Sequence, residues 1–174
     1  MSEIQTEEGA ETGKVVEKTA KIVKADNTSD ASSEKYVAVI QVRGLVGVKS
    51  KVKDTLRMMG LTRANQCVLL ENKDNLKGML LKVKDYATFG PVSMELVNKL
   101  VSARGSEYEG RLEDSKSKYT YSTFQFNGKN YKRCFRLNPP RKGFGRNGIK
   151  RGFASGGALG DRKEKISELI ERMI

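Results

Sequence analysis

Strand-type and helix-type apolar patterns alternate across residues 36–90, and their order limits the fold more than any other feature of the sequence. The run YVAVIQVR (36–43) is rich in β-branched residues, as expected of a buried strand. Further strands are predicted at CVLLE (67–71) and DYATF (85–89). Between the strands, apolar residues recur at helical spacing, first at Val48, Val52, Leu56 and Met59 and then at Leu76, Met79, Leu80 and Val83. The predicted order is therefore β-α-β-α-β.

The sequence after residue 90 predicts a second, less regular half. A third helix is predicted to open at Gly90-Pro91 and to end at Gly105, because proline is favoured at the first helical position. A charged linker follows, and Asn127-Gly128 then predicts a β-hairpin, since both positions of that turn need positive φ. The apolar residues of the last segment (161–174) fall on one face of a closing helix.

We therefore divide the chain into three parts. Residues 1–34 form an acidic segment, residues 35–90 form the core, and residues 91–174 form an extension. The extension combines a helix, the hairpin, a basic segment rich in Gly and Arg, and the C-terminal helix.

Charge is distributed unevenly between these parts. The total is +12, but residues 1–34 hold four lysines against eight acidic residues and carry −4, so the remaining residues carry +16. The acidic segment has too little apolar surface to offset chain entropy, and we predict that it is disordered. The positive excess on the rest of the chain indicates a polyanionic partner, with nucleic acid the first candidate.

Residues 129–153, here called the basic window, contain nine cations and no acidic residue. Pro139-Pro140 prevents a helix across its middle. Its glycines would let the backbone approach phosphates, and its planar side chains, Phe144 among them, would stack on unpaired bases. We predict that the window orders only on RNA; a solvated basic loop is the alternative. Its cations are Lys129, Lys132, Arg133, Arg136, Arg141, Lys142, Arg146, Lys150 and Arg151.

A second group of cations surrounds the first predicted helix. Its members are Arg43, Lys49, Lys51, Lys53, Arg57 and Arg63. Lysines off the apolar stripe of a helix are most often only solvated, which is the alternative here. Together with the basic window they would form one continuous basic surface, as expected of a protein that contacts phosphates.

Residues that support catalysis or metal binding are scarce. The sequence has no histidine, and Cys67 and Cys134 form no C-x-x-C pair, so the commonest general base and the usual zinc sites are missing. GFGRNG (143–148) matches G-x-G-x-x-G, but a dinucleotide site needs a strand before that motif and a helix after it, and neither is predicted. We expect no catalytic, cofactor or metal site and no small-molecule substrate. Because no apolar run approaches about 18 residues, we also expect no membrane span.

Two separated blocks of the sequence resemble one known family. The run VRGLVGVKSKVKDTLRMMGLTRANQCVLLENKDNLKGMLLKVKDYATFG (42–90) resembles the large-ribosomal-subunit protein thirty family. The tail FRLNPPRKGFGRNGIKRGFASGGALGDRKEKISELIERMI (135–174) resembles the C-terminal extension of its archaeal form, whose eukaryotic relative is called protein seven. The resemblance implies an α+β fold whose core is a three-stranded antiparallel, ferredoxin-like sheet with helices on one face.

The resemblance also implies a function and a set of contact residues. In the core these are Arg43, Lys49, Arg57, Arg63, Lys77 and Lys82, and in the tail Arg136, Arg141, Lys142, Arg146, Lys150 and Arg151. The expected protein is a structural constituent of the large ribosomal subunit that binds rRNA through phosphate contacts and catalyses no reaction. Its partners would be 23S-type rRNA, 5S rRNA nearby and neighbouring large-subunit proteins, on ribosomes in the cytoplasm.

Two alternative functions stay open from the residues themselves. The first is a free-standing RNA chaperone or regulatory RNA-binding protein, which nothing in the sequence excludes. The second is a nucleotide-dependent enzyme built on GFGRNG, which a strand at residues 138–143 beneath a helix would favour.

Overall fold

The longer helices and strands of the chain follow the predicted order. The computed structural model describes residues 35–174, and the predicted acidic segment 1–34 lies outside the described residues. The described strands are β1 (Tyr36–Gln41), β2 (Gln66–Glu71), β3 (Ala87–Val92), β4 (Thr123–Phe126), β5 (Lys129–Lys132), β6 (Cys134–Arg136) and β7 (Gly160–Asp161). The described helices are α1 (Ser50–Met59), α2 (Asp74–Val83), α3 (Met94–Arg104) and α4 (Ile166–Met173), with 3₁₀ turns at Phe153–Ser155 and Lys163–Lys165. Within residues 35–174, no helix has both the length and the apolar character needed to cross a membrane.

Five strands form the main sheet, in the order β6-β2-β1-β3-β7. β1 lies at the centre and pairs antiparallel with β2 and β3, so that Ile40 lies opposite both Cys67 and Thr88. β6 adds to β2 antiparallel, and β7 adds to β3 parallel. The α+β class is thus confirmed, with a mostly antiparallel sheet. The sheet has five strands where three were expected for the core, because two short strands from the tail extend it at both edges.

Helices cover both faces of this sheet. On one face, Val37, Val39 and Val68 pack against apolar residues of α1 and α2. On the other face, Ala38 and Ile40 pack against apolar residues of α3 and α4. The expectation of helices on one face therefore holds for α1 and α2 but is wrong for the sheet as a whole. Because β1 is buried on both faces, its sequence is apolar without alternation.

β3 continues through the proline that was predicted to open the third helix. Pro91 lies opposite Val37 on β1, and α3 begins only at the third residue after it. β7 pairs with β3 at Thr88 and Phe89. Pro91 therefore lies where the outer edge of β3 has no partner among residues 35–174, and a missing N–H is tolerated at such an edge.

β4 and β5 form the predicted hairpin, as a separate two-stranded sheet. Asn127 and Gly128 have φ of 48° and 75°, so the predicted two-residue turn is confirmed. The ring centroid of Phe124 on β4 lies 5.9 Å from that of Tyr36 on β1 and 5.9 Å from that of Phe135 on β6. These aromatic contacts anchor the hairpin to the core of the main sheet.

Candidate nucleic-acid interface

The main sheet brings cations from several strands to one of its ends. β1 runs opposite to β2 and β3, so its C-terminal end adjoins their N-terminal ends, as the pairing of Gln41 with Ala87 shows. The pairing of Gln66 with Arg136 brings the C-terminal end of β6 to the same place, and β7 begins there as well. We call this side of the sheet the basic end. Its cations within three residues of a strand end are Arg43, Arg63, Lys84 and Arg136, and Lys150 joins them by lining a groove with Arg43 and Lys84.

Three of these cations, Arg43, Lys84 and Lys150, line a groove of about 510 Å³, in which Asp85 is the one acidic lining residue within residues 35–174. The Arg43 guanidinium lies 4.9 Å from the centroid of the Tyr86 ring, and its Nη1 donates to the Asp85 carbonyl oxygen at 3.2 Å. Arg43 makes no other side-chain hydrogen bond within residues 35–174. A guanidinium held by these two contacts, with donors remaining and two lysines beside it, is suited to bind phosphate.

A buried glutamine positions a second arginine at the basic end. Gln66 is 5% exposed, and its Oε1 accepts hydrogen bonds from the backbone N–H groups of Thr62 and Arg63 at 2.9 and 3.0 Å. The Thr62 hydroxyl donates to the same oxygen at 3.1 Å. Because Gln66 also pairs with Arg136 on β6, the backbones of Arg63 and Arg136 are held on adjacent segments.

A buried arginine fixes the basic window to the sheet. Arg162 is 4% exposed, and its Nε donates to the Thr88 hydroxyl on β3 at 3.0 Å. Its Nη2 donates to the carbonyl oxygens of Phe144 and Ala158 at 2.7 and 3.2 Å. Its guanidinium carbon lies 4.7 Å from the centroid of the Phe153 ring. No carboxylate within residues 35–174 forms an ion pair with Arg162, and burial is the main reason that the pKa of this guanidinium is lowered.

Apolar residues and glycines also hold the basic window close to the fold. Pro140 is buried, and the half-buried ring of Phe144 packs against two clusters of core residues, so only part of that ring remains for a base. A Cβ at Gly145 would lie 2.7 Å from the Gly157 carbonyl oxygen. This glycine therefore lets two backbone segments pass close together, instead of serving a phosphate. These contacts connect the window to the sheet, and the expectation that it orders only on RNA stays a prediction.

Most of the predicted contact residues are exposed. Only Arg43, Lys53, Arg133 and Phe144 are half-buried, and the exposed ones are Lys49, Lys51, Arg57, Arg63, Lys77, Lys82, Lys132, Arg136, Arg141, Lys142, Arg146, Lys150 and Arg151. Of all these residues, Lys77 alone forms an ion pair within the described part of the chain, with Asp74 at 3.2 Å. Since the cations of the basic end and of the basic window from residue 141 onward have no such partner, they remain available to an anion.

The predicted residues that lie away from the basic end include Lys77, Lys132 and Arg133. Lys77 is in the first half of α2, which starts after the opposite end of β2 and runs toward β3. Lys132 ends β5 and Arg133 follows it, so both belong to the hairpin side of the sheet. The Arg133 Nη1 donates to the Ser122 hydroxyl at 2.9 Å.

Two residues of the interface were missed in the sequence. Lys84 directly follows α2 and belongs to no cluster of cations in the sequence. Its position between a predicted helix and a predicted strand was the signal that could have marked it as a strand-end residue. Arg162 lies in a short charged run, DRKEK, where exposure is the usual expectation. Its burial follows from the packing of β7 against β3, which no local pattern predicts.

The GFGRNG segment lacks the surroundings of a nucleotide site. Residues 138–143 form no strand, and no helix directly follows residue 148. Among residues 35–174 there is also no group of three or more His, Cys, Asp or Glu side chains that could hold a metal ion. Cys67 is buried, and burial raises the pKa of its thiol to about 12. Residues 138–143 therefore do not form the strand that would favour the nucleotide-dependent alternative.

Comparison with known proteins identifies the family. The model of the family described as ribosomal protein L30p/L7e matches residues 37–87. A protein of Methanococcus maripaludis named large ribosomal subunit protein uL30 is 36% identical over 151 residues, which cover 79% of this chain and 98% of that protein.

Proteins of the same name from two other archaea agree with this match. That of Methanopyrus kandleri is 40% identical over 149 residues, covering 76% of this chain and 100% of its own length. That of Nanoarchaeum equitans is 36% identical over 152 residues, covering 79% and 97%. The resemblance found in the sequence is confirmed, and the chain belongs to the ribosomal protein L30p/L7e family.

Proposed function

We propose that the chain is a structural constituent of the large ribosomal subunit and binds rRNA through phosphate contacts from its lysines and arginines. The name shared by its relatives, large ribosomal subunit protein uL30, supports the ribosomal role, and their family is one of structural proteins rather than enzymes. The expected partners are 23S-type rRNA, 5S rRNA nearby and neighbouring large-subunit proteins, in the cytoplasm. The division into an acidic segment (1–34), an RNA-binding core (35–90) and an extension (91–174) stays part of the proposal.

The observation that carries the proposal is the convergence of unpaired cations at the basic end. Cations from separate strands and from the basic window meet there, and none of those at the strand ends is in an ion pair within residues 35–174. Placing like charges together without ion pairs to carboxylates raises the energy of the free protein. An RNA backbone relieves that repulsion, and the counterions it releases on binding add a favourable entropy.

The groove formed by Arg43, Lys84 and Lys150 is the part of this surface best suited to a phosphate. Its cations come from three separate segments, so a phosphate bound there would contact the core and the extension at once. Arg43 is already oriented by Tyr86 and the Asp85 carbonyl, so little side-chain freedom is lost on binding. The exposed cations of the basic window would extend the contact along the RNA.

The proposal is tested by binding to large-subunit rRNA at several salt concentrations. A triple substitution of Arg43, Lys84 and Lys150 to Gln should reduce the slope of log K against log salt by about 2, since each phosphate contact contributes about 0.7 to 0.9. A matched control replaces three lysines that are in ion pairs, Lys73, Lys77 and Lys99, and removes the same charge. The control variant should show nearly the same slope of log K against log salt as the wild-type chain. An equal reduction of this slope in both variants would reject the groove as a phosphate site.

Sedimentation separates the ribosomal role from the alternative of a free-standing RNA-binding protein. In a sucrose gradient at moderate salt, the full-length chain should sediment with large subunits. If it binds rRNA but stays at the top of the gradient, an RNA chaperone or regulatory protein becomes the better explanation.

A further inference from the structure

A second groove lies at the end of the sheet opposite the basic end. It has a volume of about 650 Å³ and lies between the last residues of β2, the start of α2 and strand β4. Leu70 and Met79 form part of its apolar lining, and Thr123, Gln125 and Arg133 form part of its polar lining. We call it the far groove.

Two open strand edges border the far groove. β6 pairs with β2 only from Gln66 to Val68, so no strand within residues 35–174 covers Leu69–Glu71 on that side. Pairing of this segment with β2 begins only at Cys134. The hairpin before it is a separate sheet in which β4 pairs only with β5, so the other edge of β4 is open within residues 35–174. Unpaired strand edges present N–H and C=O groups in the pattern that another strand satisfies. The ligand that best complements two such edges is an extended polypeptide.

The charge of the far groove also favours a polypeptide over RNA. Its lining holds three charged side chains, and two of them, Glu71 and Lys73, form an ion pair at 2.7 Å. The hydrogen bond from Lys73 lowers the Glu71 pKa, which keeps that carboxylate charged. Arg133 remains, bonded to the Ser122 hydroxyl but to no carboxylate within residues 35–174. One unpaired guanidinium in an otherwise neutral, half-apolar groove matches one carboxylate side chain better than a phosphate backbone.

We propose that the far groove binds an extended segment of a neighbouring protein, which adds as a strand at the open edges of β2 and β4. The segment would place an apolar side chain against Leu70 and Met79 and an Asp or Glu side chain against Arg133. Arg133, predicted from the sequence to contact RNA, is thereby assigned to a protein partner. The inference rests on the proposed function, because the neighbour is taken to be a protein of the large subunit.

The test is photo-cross-linking in large subunits that carry the full-length chain. A photoreactive phenylalanine analogue replaces Gln125, which is exposed on β4 and lines the far groove. The control position is Asn98, which is exposed on α3 and does not line it. We expect cross-links from position 125, and not from position 98, to one extended segment of one large-subunit protein. Cross-links to rRNA, no cross-links, or the same segment captured equally from both positions would overturn the inference.

An arginine substitution then tests the predicted chemistry. Arg133→Gln should lower the yield of the protein cross-link from position 125 about tenfold, since a charge-assisted hydrogen bond is lost. Lys132→Gln, which removes an adjacent exposed charge, should leave the yield unchanged. An unchanged yield in Arg133→Gln, with the variant still present in large subunits, would contradict the proposal. If even the unsubstituted chain is missing from large subunits, the proposed function itself fails, and sedimentation reports that separately.

Discussion

Arg162 is expected to be the residue on which the packing of the basic window depends most. Its guanidinium makes three hydrogen bonds, to Thr88 on β3 and to the carbonyl oxygens of Phe144 and Ala158. It also lies over the Phe153 ring. Substitution to Met keeps most of the apolar length of the side chain but removes all the donors. Arg162→Met should therefore release the window from the sheet while the core retains its own contacts.

The expected change in the free energy of unfolding follows from those contacts. Each hydrogen bond from a charged donor contributes about 1.5 to 3 kcal/mol, and the ring contact adds about 1 kcal/mol. Against this, a guanidinium that is 4% exposed and lacks a carboxylate partner costs several kcal/mol in lost hydration, which the variant regains. The variant still leaves buried carbonyl oxygens without donors. We expect a net loss of about 3 kcal/mol in the free energy of unfolding.

Two measurements check this prediction. Urea unfolding gives the change in stability, and trypsin cleavage within residues 141–151 reports local release, because the lysines and arginines there are cleavage sites once the segment opens. Arg111→Met is the matched control, since Arg111 is exposed and its side chain makes no hydrogen bond within residues 35–174. A change in Arg162→Met no larger than that of the control, with equal cleavage rates, would show that Arg162 does not hold the window.

Three further predictions address close packing, the buried thiol and net charge. Gly145→Ala and Gly157→Ala should each cost more than about 1 kcal/mol, because their Cβ atoms would meet backbone oxygens, whereas Gly44→Ala has open space and should be neutral by thermal unfolding. The pKa of the Cys67 thiol is raised to about 12 in the folded chain, against about 8.5 in the unfolded chain. Between these two pH values only the unfolded chain loses the thiol proton, so the free energy of unfolding should fall as pH rises. At pH 10 the loss from this group is about 2 kcal/mol, and a Cys67→Val variant measured by urea unfolding should lack that part of the decline. Because the described residues carry a large positive excess, the melting temperature of the wild-type chain should rise between about 0.01 and 0.15 M salt as repulsion is screened, and no rise would contradict the picture of unpaired cations.

The longer helices and strands were predictable because each has a recognisable pattern of apolar residues. The buried run of β1 and the apolar stripes of α1 and α2 were long enough to define their type. β6 falls inside the run predicted as the second strand of the hairpin, so only its pairing with β2 was missed, whereas β7 was missed because two residues are too short to show a strand pattern. Pro91 was misplaced because proline suits both the first turn of a helix and an open strand edge, and only the pairing with β1 decides between them.

The sequence indicated which cations could contact RNA, but not which of them lie together on one surface. Arg43, Arg63 and Arg136 were selected for their charge, and the strand register then brings them to one end of the sheet. Register is set by long-range pairing, so the sequence alone did not separate them from Lys77, which lies elsewhere in an ion pair. The burial of Arg162 was unpredictable for the same reason, since its acceptors come from segments up to 74 residues away.

The two ends of the sheet differ in charge because of how the connections run. The turns that lead into β2 and β3 and out of β1 and β6 all lie at the basic end, and their cations have no carboxylate partner in the described chain. The opposite end holds Glu71 and Asp74, each paired with a lysine three or fewer residues away. An RNA backbone gains most at the first end, whereas the second offers open strand edges in a nearly neutral groove. On our proposals one sheet therefore presents RNA and protein partners with opposite ends, so a substitution at one end should leave binding at the other intact.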